Sequence, residues 1–281
     1  MIVTLWGARG SISTPGENTI QYGGNTSCVE VRDSDDSLLI LDAGTGIRKL
    51  GCTLDKKIKR ADILLTHLHL DHIQGLGFFK PLYDSDVEVH IYGPANSNRD
   101  LRNQLSKYFS PPLFPVFIGD LHAKIYFHAL PDVEFTIGNF RILGQPICHP
   151  GFTVGYRITT SSGVLAYLSD HEPALGVENF PLSPDWTSGY DLAVDADLLL
   201  HDTQYTEEEY PTHAGWGHST IQQALTFALL TKVKKLVTFH HDPAHGDEEL
   251  DTILAKAIAT MPVNSLKVEC GREGRVFKLP E

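Results

Sequence analysis

The stretch "LLTHLHLDHIQG", Leu64 to Gly75, constrains this chain most: it sets His67, His69, Asp71 and His72 directly behind the apolar run Ala61 to Leu65. Read as a buried strand running into a turn, it points His67 and His69 the same way and lets Asp71 and His72 swing toward a neighbouring point. Burying such groups unpaired costs several kcal/mol, and metal coordination removes that cost. The spacing therefore predicts a site for two metal ions at one strand end. Two such ions need about six or more protein ligands, so further ones are expected downstream. Candidates stand where apolar strands end: His149 in "PICHPG", Asp170 closing "VLAYLSD", and His240 closing "KLVTFH".

Apolar, β-branched runs predict strands at Ile2–Leu5, Cys28–Val31, Leu38–Leu41, Ile63–Leu65, Val87–Ile91, Ile125–Phe127, Val154–Ile158, Val164–Leu168, Leu198–Leu200 and Leu236–Phe239. Helical periodicity predicts helices at Thr220–Thr231 and Asp247–Ala259, with others after Gly46 and around Arg99–Tyr108. The grouping of strands recurs in both halves of the chain, which predicts an α/β fold of two packed sheets with helices outside. At 281 residues the chain fits one such domain, residues 1–281. The Pro- and aromatic-rich "KYFSPPLFPVF", Lys107 to Phe117, cannot be a central strand. It reads as part of an insertion around 95–120, beside the site or at a dimer contact.

A formal charge of −12 argues against a broad footprint for extended nucleic acid, whose affinity comes from Lys and Arg on phosphates. The basic cluster Lys56 to Arg60 reads as a solvated loop between a helix and a strand. A small anionic substrate fits better, since a metal centre supplies local positive charge. The N-terminus has no secretory pattern, no uncharged run suffices for a membrane span, and Cys28, Cys52, Cys148 and Cys270 form no CxxC pair. A cytoplasmic protein with reduced thiols is the expectation.

Taken in order, "THLHLDH", His149, Asp170 and His240 closely resemble the HxHxDH, His, Asp, His pattern of the metallo-β-lactamase superfamily, from "LDAGTGIRKLG" to "TFHHDP". The resemblance implies a four-layer αββα sandwich with a two-metal site at one edge. It implies that His67, His69 and His149 hold the first ion, that Asp71, His72 and His240 hold the second, and that Asp170 bridges them. Asp42 in "LILDAG" matches an aspartate that orients a ligand histidine. His241 is the competitor of His240, and alignment of "LVTFH" favours His240. Zinc is the default for such a histidine-rich site, with manganese or iron as alternatives.

The downstream half carries "LLLHDTQYTEEEYPTHAGWGHSTIQQA", whose His218-Ser219-Thr220 resembles the phosphodiesterase branch, tRNA 3′-processing nucleases and cyclic phosphodiesterases included. Ser219 followed by Gln222 reads as a capping box that holds His218 just before a helix. Asp202 is the partner expected to support His218 as the acid that protonates the leaving oxygen. Asp71 joins these as a catalytic residue, and a hydroxide held between the ions is the expected nucleophile. Tyr205, His213 and Trp216 are candidates for stacking on a base. The chain lacks the projecting basic, glycine-rich arm expected of a tRNA nuclease of this family, and its two ends resemble small bacterial hydrolases related to cyclic-nucleotide phosphodiesterases. The expectation is thus a dimeric phosphodiesterase for a small diester such as a cyclic nucleotide. An RNA nuclease and a lactonase or thioesterase are the alternatives.

Overall fold

A computed structural model describes residues 1–35, 37–54, 58–131, 133–175, 180–181, 183–261 and 266–280. The first half of the chain builds one sheet from β1 (Ile2–Gly7), β2 (Cys28–Arg32), β3 (Leu38–Leu41), β4 (Arg60–Leu64), β5 (Glu88–Gly93) and β6 (Lys124–Ala129). The second half builds another from β7 (Phe135–Ile137), β8 (Phe140–Pro146), β9 (Val154–Thr160), β10 (Gly163–Leu168), β11 (Leu198–Asp202), β12 (Lys235–Phe239) and β13 (Lys267–Cys270). The last strand, β14 (Val276–Lys278), crosses back to pair antiparallel with β1. The sheets run β14-β1-β2-β3-β4-β5-β6 and β13-β12-β11-β10-β9-β8-β7. In each, an antiparallel half turns parallel: β3 to β6 in the first sheet, β10 to β13 in the second.

The sheets face each other across Val3, Leu5, Val31, Leu41, Tyr156, Ile158, Tyr167, Leu200 and Phe239. Burying each such side chain contributes about 1.5–3 kcal/mol. On the outer face of the first sheet lie α1 (Gly46–Thr53), the short α2 (Leu70–Ile73) and α3 (Asn98–Tyr108). On that of the second lie α4 (Tyr190–Ala193), α5 (Ile221–Leu230) and α6 (Asp247–Ala259). Ile47, Leu50, Leu101 and Leu105 pack from one side, and Leu225, Ala228 and Ala257 from the other. This is the four-layer αββα order.

Several local expectations need correction. His67 and His69 do not lie on a strand: β4 ends at Leu64 because the Thr66 N–H donates to the Asp42 carboxylate at 2.8 Å instead of to a neighbouring strand. The histidines occupy the loop beyond, and His69 stands at the N-cap position of α2. The capping box of α5 is shifted by one residue. Gln223 N–H donates to Thr220 Oγ1 at 3.0 Å and Thr220 N–H to Gln223 Oε1 at 3.1 Å, whereas the Ser219 hydroxyl donates to the His171 carbonyl. Within 95–120, α3 starts on a Ser97 cap, Phe109 and Phe114 bury against the first sheet's outer layer, and the Tyr108 hydroxyl donates to Gln74 O at 2.7 Å. Of the basic cluster 56–60, residues 56 and 57 lie outside the described residues, and Lys59 and Arg60 pair with Asp86 and Asp62.

Candidate metal centre

The loops that leave β4, β8, β10 and β12 meet at one edge of the sandwich, as expected where α/β strands end. There His67, His69 and His149 offer ligand atoms within 4.8 Å of one another, and so do Asp71, His72, Asp170 and His240. Asp170 lies between the two sets: Oδ1 is 3.1 Å from His72 Nε2, while Oδ2 is 3.2 Å from His240 Nε2, 3.8 Å from His67 Nε2 and 4.0 Å from His149 Nε2. His67 Nε2, His72 Nε2 and Asp170 Oδ1 are buried and make no hydrogen bond, although the last two lie close together. Converging donors without hydrogen-bond alignment, in a set of imidazoles and carboxylates, fit a pair of divalent ions.

Each buried histidine of the two sets is held from behind. His72 Nδ1 donates to Asp42 Oδ2 at 2.9 Å, and Asp42 also accepts from the Tyr167 hydroxyl at 2.8 Å. Thr66 Oγ1 donates to Asp42 and contacts His67 Nδ1 at 3.1 Å. His149 Nδ1 donates to Gly217 O at 2.9 Å, and His240 Nδ1 to Gln204 Oε1 at 2.8 Å. Fixing Nδ1–H in this way orients each ring with Nε2 toward the centre. Asp42 and His240 both take a left-handed backbone, φ +58°, at their strand ends. Such conformations cost of order 1–3 kcal/mol and cluster at functional sites. Gly10 is needed behind His240, since a Cβ there would lie 2.4 Å from His240 Nδ1.

The two sets differ electrostatically. Burial, only partial at His69, holds the imidazoles of His67, His69 and His149 below the ordinary histidine range. Burial also opposes charge on His72 and His240, but Asp170 and Asp71 outweigh it, raising His72 well above that range and His240 to about 9. In turn His72 and His240 overcome the effect of burial on Asp71 and Asp170 and hold both carboxyls below the usual carboxylate range.

His218 lies beside both sets, its ring centroid 5.1 Å from that of His149 and 4.9 Å from that of His240. Its Nδ1 donates to Asp202 Oδ2 at 2.6 Å, and Asp202 is fixed by the N–H groups of Gln204 and Ser219 at 3.0 and 3.1 Å. Tyr205, His213 and Trp216 come together next to it. Tyr205 stacks on His213 at 4.5 Å, Trp216 meets His213 edge-on at 4.8 Å, and Trp216 is 59% exposed, so its ring is accessible. His241 turns away, with Nε2 donating to Gly271 O at 2.8 Å, so the structure brings His240 to the cluster and not His241. Sequence reasoning missed Gln204, Thr66 and Ser11, whose N–H donates to Asp71 Oδ2 at 3.0 Å. Their partners are distant in sequence or backbone groups, and neither leaves a local pattern.

Comparison with known proteins places this geometry in context. A family profile described as "Beta-lactamase superfamily domain" matches residues 38–241. Ribonuclease Z of Pyrococcus furiosus is 24% identical over 303 residues, covering 90% of this chain and 93% of its own. Human tRNase Z, short form, superposes with a TM-score of 0.68 at 20% identity, covering 100% of both chains. A diphosphatase of the PhnP family superposes with a TM-score of 0.69 at 20% identity, covering 99% of this chain and 98% of its own. Relatives named Ribonuclease Z stand against the expectation, drawn from charge, that extended nucleic acid is no partner. Net charge is a poor guide here, because divalent ions can neutralise phosphate where Lys and Arg are few. Among the described residues no helix is long and apolar enough to cross a membrane.

Proposed function

The chain belongs to the metallo-β-lactamase superfamily, and from that premise we propose that it is a metal-dependent hydrolase of the phosphodiesterase and nuclease branch that opens nucleotide phosphodiesters, with cyclic nucleotides as substrates, at a two-metal centre. We assign the first ion to His67, His69 and His149 and the second to Asp71, His72 and His240, with Asp170 shared; the two groups of converging donors support this. Zinc is the first choice, and the two carboxylates of the second set also suit manganese or iron. When bound, the two ions supply Lewis acidity, neutralising non-bridging phosphate oxygens and making water more acidic.

The observation that carries the reading is the His218–Asp202 pair beside the ligand cluster. With Nδ1–H donated to Asp202, His218 presents Nε2 as the atom that delivers a proton to the leaving oxygen, a role worth about 10²- to 10⁴-fold. Asp202 fixes the tautomer and lies where it stabilises an imidazolium. Asp71, anchored by the Ser11 N–H, orients the attacking water. Tyr205, His213 and Trp216 form the aromatic wall on which a base stacks, worth roughly 1–3 kcal/mol. A lactonase or thioesterase would leave the His218–Asp202 pair without a role.

A second reading, an RNA 3′-end nuclease, is favoured by the names of the ribonuclease Z and tRNase Z relatives. Metal-loaded protein tested against cyclic mononucleotides and a 3′-extended tRNA decides between them. Turnover of a cyclic nucleotide supports the first reading; cleavage of the tRNA alone would transfer the site to the second.

A further inference from the structure

Glu172 lies two residues beyond Asp170 and is fully buried, yet the proposed chemistry gives it no part. Its carboxylate accepts from one loop: the Tyr210 hydroxyl at 2.6 Å and the Gly215 N–H at 2.9 Å reach Oε1, and the Gly217 N–H reaches Oε2 at 2.8 Å. That loop, residues 206–219, is tied at its ends where Tyr205 N–H donates to Ser219 O at 3.1 Å and Ile221 N–H to Tyr205 O at 3.3 Å. It carries His213, Trp216 and His218. Glu172 is also tied to the residue before His149, its own N–H donating to Cys148 O at 2.9 Å. Between these contacts Gly217 O accepts from His149 Nδ1 at 2.9 Å. Gly217 adopts φ +90°, and a Cβ there would lie 2.2 Å from His149 Nδ1. The loop backbone therefore touches the imidazole, with no room for a side chain between them.

We infer that Glu172 is a positioning residue: its carboxylate clamps the 206–219 loop against the metal centre, so that Gly217 fixes the His149 ring with Nε2 toward His67 and His69. The inference rests on His149 being a ligand of the first ion. An ionised carboxylate is acceptor-only and suits a hydroxyl and two backbone amides. The amide of a glutamine would turn its NH₂ on at least one of these donors, loosening the loop without changing its volume.

The test is a competitive zinc titration of the full chain, with amide hydrogen exchange on the same samples, for wild type, Glu172→Gln and Tyr210→Phe. Glu172→Gln is expected to bind one of the two zinc ions about 10- to 100-fold more weakly, as for loss of an outer partner, and the other ion as in wild type. Exchange is expected to quicken over 206–219 and not in β10 to β12. Tyr210→Phe removes one donor to the same carboxylate, should shift both readouts the same way by less, and decides the matter if Glu172→Gln does not fold. Wild-type zinc binding and wild-type exchange in the loop would overturn the inference. So would equal weakening of both ions with faster exchange throughout the fold, which is how a purely structural carboxylate behaves. Wild-type protein that takes up no zinc would contradict the metal centre itself, and the clamp would then be judged on loop exchange alone.

Discussion

The two donor sets of the centre are unequal in chemistry and in support. His67, His69 and His149 are imidazoles only; His67 and His149 are buried, which lowers their pKa, whereas His69 is exposed. Asp71, His72, Asp170 and His240 are all buried and mix carboxylates with imidazoles whose pKa those carboxylates raise. Behind the second set stand side chains, Asp42 and Gln204. Behind His149 in the first stands only the backbone of a loop. The second set is thus backed by side chains, whereas in the first His149 rests on a segment that also carries His218 and the aromatic wall. Substitutions should therefore separate the two halves.

The largest effect is expected where the halves meet. Asp170→Ala removes the carboxylate that faces both sets, so turnover should be abolished and bound metal should fall below two ions per chain by elemental analysis; full metal content would mean that Asp170 is no bridge. His218→Ala should lower kcat by roughly 10²- to 10⁴-fold while both ions stay bound. Its atoms also lie within ligand distance of His149 and Asp170, so loss of an ion in that variant would make it a ligand and break the division into two sets. Gln204→Ala should weaken one ion about 10- to 100-fold, leaving His240 without its acceptor and the all-histidine set intact; a zinc titration in which both ions weaken together would show that the sets are not separable.

The smallest effect lies behind both sets and is read in stability. His201 is fully buried, donates Nδ1–H to Asp202 O at 2.7 Å, and contacts His171 Nδ1 through Nε2 at 3.0 Å. Burial lowers its pKa from 6.5 to about 4. A histidine depressed on folding leaves the unfolded chain the better proton binder between those values, so its contribution is complete above about pH 6.5 and is lost as pH falls toward 4. Denaturant unfolding at a series of pH values should show wild type losing up to a few kcal/mol over that window and His201→Asn losing less. Parallel curves would remove His201 as a cause.

Much of this centre was legible because its ligands follow strongly apolar strands, and periodicity locates such strands well: β3 and α6 lie where the pattern predicts. The missed strands, β7, β8, β13 and β14, are mostly short and carry polar residues, so pairing rather than propensity decides them. The cap of α5 was ambiguous in principle, because Ser219-Gln222 and Thr220-Gln223 both satisfy the same local rule. Tertiary contacts chose between them, since the Ser219 N–H is taken by Asp202 and its hydroxyl by His171. Glu172 and Gln204 left no trace in the sequence for a related reason. Their partners include backbone amides and a histidine 36 to 45 residues away, which only the folded chain brings near. Net charge misleads about extended nucleic acid, because divalent ions at the centre can neutralise phosphate where Lys and Arg are few.

The proposed two-metal phosphodiesterase centre is made of seven side chains: His67, His69, Asp71, His72, His149, Asp170 and His240. Its most direct test is hydrolysis of bis(p-nitrophenyl) phosphate by metal-stripped protein as zinc or manganese is added back in measured equivalents. No turnover is expected without metal, and turnover should rise to a plateau as the second ion per chain is bound. Protein that binds both ions and still leaves this diester and every cyclic nucleotide and RNA intact would contradict that proposal.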